Sequence, residues 1–245
     1  MSAGSHRNRR RLRGALLAGL GVLVALAPAL AFIPEAAPIA RAAAKGNRVA
    51  RRAQTLELDV TVRRAGVEEP LARGTLLASP DSRARLRLRH RRGFEERQLR
   101  RSGGLSGARD GVLLDRPHPL LPPFWVWQAR TGSRLLAELG ELGGDPGRVA
   151  MGYDGAHDCY VLGGRPGVSF WVDQDDLVVV RIDAAGGVTY RVGPTMGPDK
   201  GVRVPAWIEV EAPGLPPTRL EVTGARPVTP DAGAFAPAWL ERRSG

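Results

Sequence analysis

The sequence predicts a mainly β protein, an antiparallel barrel or strongly curved sheet interrupted by one helical insertion. Three observations carry that reading. About eleven to twelve short segments of strand character follow one another at spacings near ten residues. Gly (31) and Pro (20) make about a fifth of the 245 residues, which suits tight turns and excludes a long helical bundle or coiled coil. Only one stretch in the body of the chain, residues 131–142, has strong helical spacing. The composition, 43% hydrophobic and 25% charged, is that of a globular protein. The chain divides into a signal (1–31), a linker with a short N-terminal helix (32–53), one domain (54–240) with a lid insertion at 117–145, and a tail (241–245).

At the N-terminus Arg7, Arg9, Arg10, Arg11 and Arg13 precede an uncharged apolar run over residues 14–32, and Ala29-Leu30-Ala31 is a small-x-small cleavage pattern. This reads as a secretory signal placing a soluble protein in the periplasm of a Gram-negative envelope. The alternative is an uncleaved inner-membrane anchor over 14–32. Arg13 stands where a twin-arginine signal has an apolar residue, so Sec export fits better, and with no Cys before Cys159 there is no lipobox. Cleavage removes five Arg and no acidic residue, leaving 31 basic against 25 acidic residues, so the formal charge falls from +11 to a mild +6. With 34 Arg against only Lys45 and Lys200, the bias is one that a GC-rich coding sequence alone would give, and it carries no case for nucleic acid.

Residues 33–53, rich in Ala and Arg, lead into a short helix. Leu56, Leu58, Val60 and Val62 then alternate with Thr55, Glu57, Asp59 and Thr61, the period of a half-buried strand. Residues 71–78 pair with it. In residues 82–90, Ala84, Leu86 and Leu88 alternate with Arg83, Arg85, Arg87 and Arg89, giving one apolar and one basic face. Segments 94–101 and 105–114 continue the meander past turn signals at Gly103-Gly104 and Asp110-Gly111. Pro117 breaks the pattern. The Pro-interrupted apolar stretch 118–127 (HPLLPPFWVW) is followed by a helix over 131–142, with Leu135, Leu136, Leu139 and Leu142 on one face and Gly143-Gly144 ending it. Strands resume at 148–153, 158–162, 168–172, 177–182, 188–192, 202–210 and 218–223.

Nothing in the pattern supports an enzyme, a metal or a cofactor. His157-Asp158-Cys159 sets a base, a carboxylate and a thiol in a row, but neighbours on a strand point to opposite faces. His90 and His118 lack ligand spacing, and one Cys forms no cluster. Asp173, Asp175 and Asp176 lack the Gly and Glu of a calcium loop and read as a hairpin turn. Two patches remain. Nine Arg fall within residues 83–101; Arg83, Arg85, Arg87 and Arg89 either meet an anionic head group, membrane surface or acidic protein, or form a solvated face that blocks edge pairing. Leu120, Leu121, Phe124, Trp125, Val126 and Trp127 are apolar on too many sides for one sheet to cover. They form either a lid over a cavity or a permanent plug.

The order of these segments resembles the LolA/LolB-like lipoprotein carrier superfamily: an exported chain and short helix, the strand at 55–63, Gly74, Leu76 and Pro80 followed by Arg83 and Arg85, the lid insertion, FWVDQDDLVVVRID at 170–183, P-x-x-I-E-V at 205–210, L-E-V-T at 220–223, and Phe235-x-Pro237. The resemblance spans roughly residues 45–240. It implies an unclosed antiparallel β-barrel whose apolar interior holds acyl chains of lipoproteins or lipids, with Leu76, Trp171 and Trp207 joining Leu120, Leu121, Phe124, Trp125 and Trp127 as lipid-facing residues. A monomeric chaperone in transit toward the outer membrane is expected, with transient anionic membrane contact through the arginine strand. The family's carrier has Arg before the Pro of a strand-end R-P; here that position is Ser79. The alternative is a non-enzymatic envelope sensor or scaffold of the same fold that binds a protein partner.

Overall fold

In a computed structural model of the chain, the residues described are 34–46, 54–101, 104–155, 157–164, 166–199 and 202–242. The expected signal (1–31) and residues 32–33 and 47–53 of the expected linker lie outside them. Helix α1 (Ala36–Gly46) turns Ala36, Ile39, Ala40 and Ala43 to the core. Strands β1 (Thr55–Arg64), β2 (Ala72–Ser79), β3 (Arg83–His90), β4 (Glu95–Arg101), β5 (Gly104–Arg109) and β6 (Val112–Leu114) form the meander. The expected strand at 105–114 is thus two, parted by Asp110 and Gly111, both at positive φ. After the insertion come β7 (Asp145–Tyr153), β8 (Asp158–Gly163), β9 (Ser169–Asp173), β10 (Val179–Ala184) and β11 (Val188–Val192). The hairpin β12 (Thr195–Asp199) and β13 (Val202–Pro205) follows, then β14 (Trp207–Ala212) and β15 (Leu215–Val228). The expected strand at 202–210 is therefore split at Ala206, and β12 has too little apolar alternation to be read from the sequence.

Thirteen strands form one antiparallel sheet in the order β6-β5-β4-β3-β2-β1-β15-β14-β11-β10-β9-β8-β7. The sheet is not closed, and β6 and β7 are its edges. The insertion between them carries the chain from one edge to the other. Register places Leu58, Leu76 and Leu86 side by side on β1, β2 and β3, and these residues, with Leu220, Ile208, Ile182 and Phe170, line the inner face. The strand alternation that was legible in the sequence is this inner face. Each buried Leu or Ile contributes about 1.5–3 kcal/mol relative to exposure.

Helix α2 (Gly132–Glu141) buries Leu135 and Leu139 against the same core. Thr131 caps its N-terminus, its Oγ1 accepting from Arg134 N at 3.2 Å. At its end Gly143 takes φ 95° and Gly144 N donates to Leu139 O at 2.9 Å, a turn that requires glycine. Gly132 permits close contact with α1, since a Cβ there would stand 2.6 Å from Arg41 N.

Candidate functional site: the plug and the cleft beside it

Residues 118–128 run through the interior of the open barrel. Three prolines, Pro119, Pro122 and Pro123, deny this stretch the backbone donors of a helix or central strand. Only Phe124–Gln128 closes into a 3-10 turn. Leu120, Leu121, Phe124, Trp125, Val126 and Trp127 are all at most 4% exposed and belong to the main core with Leu76. Phe124 and Trp127 meet edge to face with ring centroids 5.6 Å apart. Of the two readings left open by the sequence, this conformation is a plug that fills the interior.

The plug is tied down by polar groups that project inward from the barrel wall. On β4 register sets Glu96, Gln98 and Arg100 opposite the inward-facing Leu88, Leu86 and Ala84 of β3. Gln98 grips the plug backbone twice, accepting from Leu121 N at 2.9 Å and donating to His118 O at 2.6 Å. Arg100 Nε donates to Leu121 O at 2.9 Å and Nη2 to the Tyr190 hydroxyl at 2.9 Å; that hydroxyl donates to Pro119 O at 3.1 Å. Burial pushes the Tyr190 phenol up, so its proton is retained. At the other end of the plug the Trp127 indole donates to Val179 O at 2.9 Å. One plug atom is left over: Gln128 Oε1 is buried without a hydrogen bond among the described residues, while the Trp125 indole lies toward the Glu138 carboxyl.

The lid helix is latched separately. Ser82, at φ 64° in the β2–β3 turn, donates its Oγ to Glu138 at 2.7 Å and accepts from Arg134 Nη2 at 2.5 Å, and Arg134 also pairs with Glu138. A residue held in the left-handed region costs about 1–3 kcal/mol and persists only where its surroundings impose it. Burial pushes the Glu138 carboxyl up, offset in part by Ser82 and Arg134.

Beyond the Arg181–Arg191 pair, strands β10 and β11 part, and the sheet opens into a cleft of about 720 Å³. Its apolar lining comes from Val178, Val179, Val192, Val204, Pro205 and Trp127, and its rim carries Asp154, His157, Asp176, Arg191 and Arg203. The volume is in the range of small-molecule sites.

Two sets of residues expected at the site lie elsewhere. Trp171 alternates with the inward Phe170 and Val172, and so packs on the outer face in a small cluster with Cys159 and Val161, under Arg181 at 4.3 Å. Trp207 also faces outward, beneath Arg219 at 4.2 Å, and reaches only the lip of the cleft. The alternation of Arg83, Arg85, Arg87 and Arg89 holds, but they do not form a free basic face. The C-terminal segment lies over half of it: Arg83 stacks on Phe235 at 4.9 Å, and Arg85 stacks on Trp239 at 5.0 Å while donating to Ala234 O. Arg87 pairs with Glu95, and Arg89, opposite the same Glu95, makes no ion pair among the described residues. His157, Asp158 and Cys159 do not assemble either. His157 pairs with Asp173 at 2.5 Å, and burial pushes the Cys159 thiol up to about 12. Among the described residues no group of His, Cys, Asp and Glu could hold a metal ion, and no helix is long and apolar enough to cross a membrane.

Sequence reasoning missed Gln98, Arg100, Tyr190 and Glu138. The signal for Arg100 was available in principle, because pairing β4 with the apolar face of β3 turns every second residue of EERQLRR inward.

No family model and no curated protein sequence matches the chain. Solved structures do. A LolA superfamily protein from Nitrosomonas europaea superposes over 85% of this chain and 100% of its own, at 14% identity and a TM-score of 0.52. An outer membrane lipoprotein-sorting protein domain from Vibrio parahaemolyticus covers 84% and 100%, at 10% identity and a TM-score of 0.49. The first of these shows that the chain has a LolA-like fold.

Proposed function

We propose that this chain is a periplasmic carrier for acyl chains, of lipids or of lipoproteins, that shelters them in the barrel interior during transit toward the outer membrane. The observation that carries the reading is the plug. An apolar segment fills the interior, is bonded to the wall through its backbone by Gln98, Arg100 and Tyr190, and leaves a buried Gln128 oxygen unpaired. A permanent core element buries its polar atoms in pairs. The prolines and the unsatisfied oxygen suit an element that leaves, exposing the inner face to an alkyl chain.

The cleft is the way in. Its lining includes Trp127 and the strand ends that part beside it, so a chain entering there meets the plug first. As the plug withdraws, Val179 O loses the Trp127 donor, and the apolar wall of Leu76, Leu86 and Ile208 becomes the binding surface. No covalent step is needed. The LolA superfamily fold supports this reading.

Native mass spectrometry of protein purified from membrane-containing cells tests it. Co-purified adducts with the masses of phospholipid or acylated species support carriage. A chain free of lipid that retains a stoichiometric protein supports the scaffold alternative.

A further inference from the structure

The convex face of β2, β3 and β4 sets arginine directly opposite arginine three times: Arg73 with Arg89, Arg83 with Arg101, and Arg87 with Arg97. Like charges across an antiparallel pair are destabilising. The fold compensates two of the three. Arg87 and Arg97 share the carboxylate of Glu95, and Arg83 pairs with Asp81 and stacks on Phe235. Arg89 stands across β3–β4 from Glu95, but that carboxylate is already shared by Arg87 and Arg97, and Arg73 faces Thr61 on its other side. Both are exposed, and neither has an ion pair or hydrogen bond among the described residues. The closest outward carboxylates along β1, Glu57 and Asp59, are both taken by Arg226.

We propose that Arg73 and Arg89 dock this protein on an anionic phospholipid surface, their two guanidiniums taking headgroup phosphate. Guanidinium is the side chain that binds phosphate through two parallel donors. The surroundings favour a bilayer over a soluble anion. Arg91 N bonds to Leu71 O and Ala65 N to Pro217 O, so the β3–β4, β1–β2 and β14–β15 connections gather at this end of the sheet. They present exposed Val67 (41%) and Leu215 (42%) at their tips, with exposed Arg64 and Arg92 and with exposed Glu68 and Glu69, the latter paired with Arg91. Apolar tips among arginines match the boundary between headgroups and acyl chains. Register along β2, β1, β15, β14 and β11 places these loop tips away from the cleft, while Arg73 lies in line with Thr61, Glu221 and Trp207 on the convex face outside the cleft's lip. The proposal is independent of what the interior carries.

The test is co-sedimentation with vesicles of phosphatidylglycerol mixed with phosphatidylcholine, at low salt, against vesicles of phosphatidylcholine alone. The variant pair Arg73→Gln with Arg89→Gln should weaken binding to the anionic vesicles by about fivefold for each charge removed and leave the neutral ones unchanged. The pair Arg87→Gln with Arg101→Gln, which removes as many charges from the same face, should lose much less. A thermal melt gives a second readout. Arg73→Gln alone should raise the melting temperature at low salt and not at high salt, because it relieves the repulsion from Arg89. Equal losses for the two pairs would overturn the assignment, leaving net charge as the cause. Full competition by millimolar inorganic phosphate at constant ionic strength would also overturn it, in favour of a soluble anion. Binding to an acidic polypeptide without binding to vesicles would assign the face to a protein.

Discussion

The Arg100 guanidinium donates to the main-chain carbonyl of Leu121 at 2.9 Å, so a charge on the barrel wall holds the backbone of the segment that fills the barrel. Arg100 is 6% exposed and is flanked by the Tyr190 ring at 5.9 Å and the Tyr190 hydroxyl. Replacing it with Met leaves the buried Leu121 carbonyl with only the long contact from the Tyr190 hydroxyl at 3.4 Å. Arg100→Met should therefore lower stability by about 1–3 kcal/mol, the cost of an unmet buried acceptor. A urea melt with a lowered midpoint and unchanged slope would show it.

Acid acts on the two ends of the insertion with opposite sign. At the plug, burial pushes His118 below its usual 6.5, opposed in part by Glu96. The unfolded chain then binds more protons between the two values, so stability falls as pH drops through 6.5. At the lid helix, the Glu138 carboxyl is raised above 4.5 by burial. The folded chain binds more protons there, so stability is lost as pH rises through the raised value and recovered as pH falls toward 4.5. Urea midpoints across this range should show that His118→Gln removes the loss below 6.5 and Glu138→Gln removes the gain. Profiles like that of the parent would refute both assignments.

Trp239 is the knob by which the C-terminal segment holds the convex face, beneath Arg85 and Arg97 and against a cluster that includes Leu77 and Leu99. It is 7% exposed. Trp239→Ala should cost about 2–4 kcal/mol, near the lower part of the range for losing a buried aromatic. Limited proteolysis should then cut the chain after β15 first.

Cys159 should be inert. Its thiol is buried, and burial together with Asp154 and Asp173 pushes it up to about 12. Thiol titration should give no label at neutral pH in the native protein and one equivalent in denaturant. Fast native labelling would place Cys159 at the surface.

The wall of the barrel was legible in the sequence because a half-buried sheet must alternate, and Leu56, Leu58, Val60 and Val62 do so without interruption. Helix α2 was legible from its leucine spacing and Gly143-Gly144, while the cap at Thr131 came only with the structure. The plug was legible only as a surplus of apolar side chains; whether it fills the interior or covers it depends on contacts remote in sequence, such as Trp127 with Val179. The inward charges of β4 were illegible for a plain reason. Arg100 and Gln98 look like surface residues until register and the plug backbone give them partners. Trp171 misled in the other direction, since a strand buried on both faces does not tell which side a large aromatic takes.

The most direct test of the account is the affinity of a fluorescent fatty-acyl probe for Tyr190→Phe. The substitution removes the hydroxyl that donates to Pro119 O, reaches Leu121 O at 3.4 Å and accepts from Arg100, and little else. It should shift the equilibrium away from the plugged state by about 1 kcal/mol, the net worth of a hydrogen bond. If the plug and the acyl chain compete for the interior, the apparent affinity rises up to about fivefold as the competent fraction grows, and the emission of Trp125 and Trp127 shifts on binding. An affinity equal to or below that of the parent, with Trp emission unmoved by the probe, would contradict displacement of the plug and with it the carrier reading.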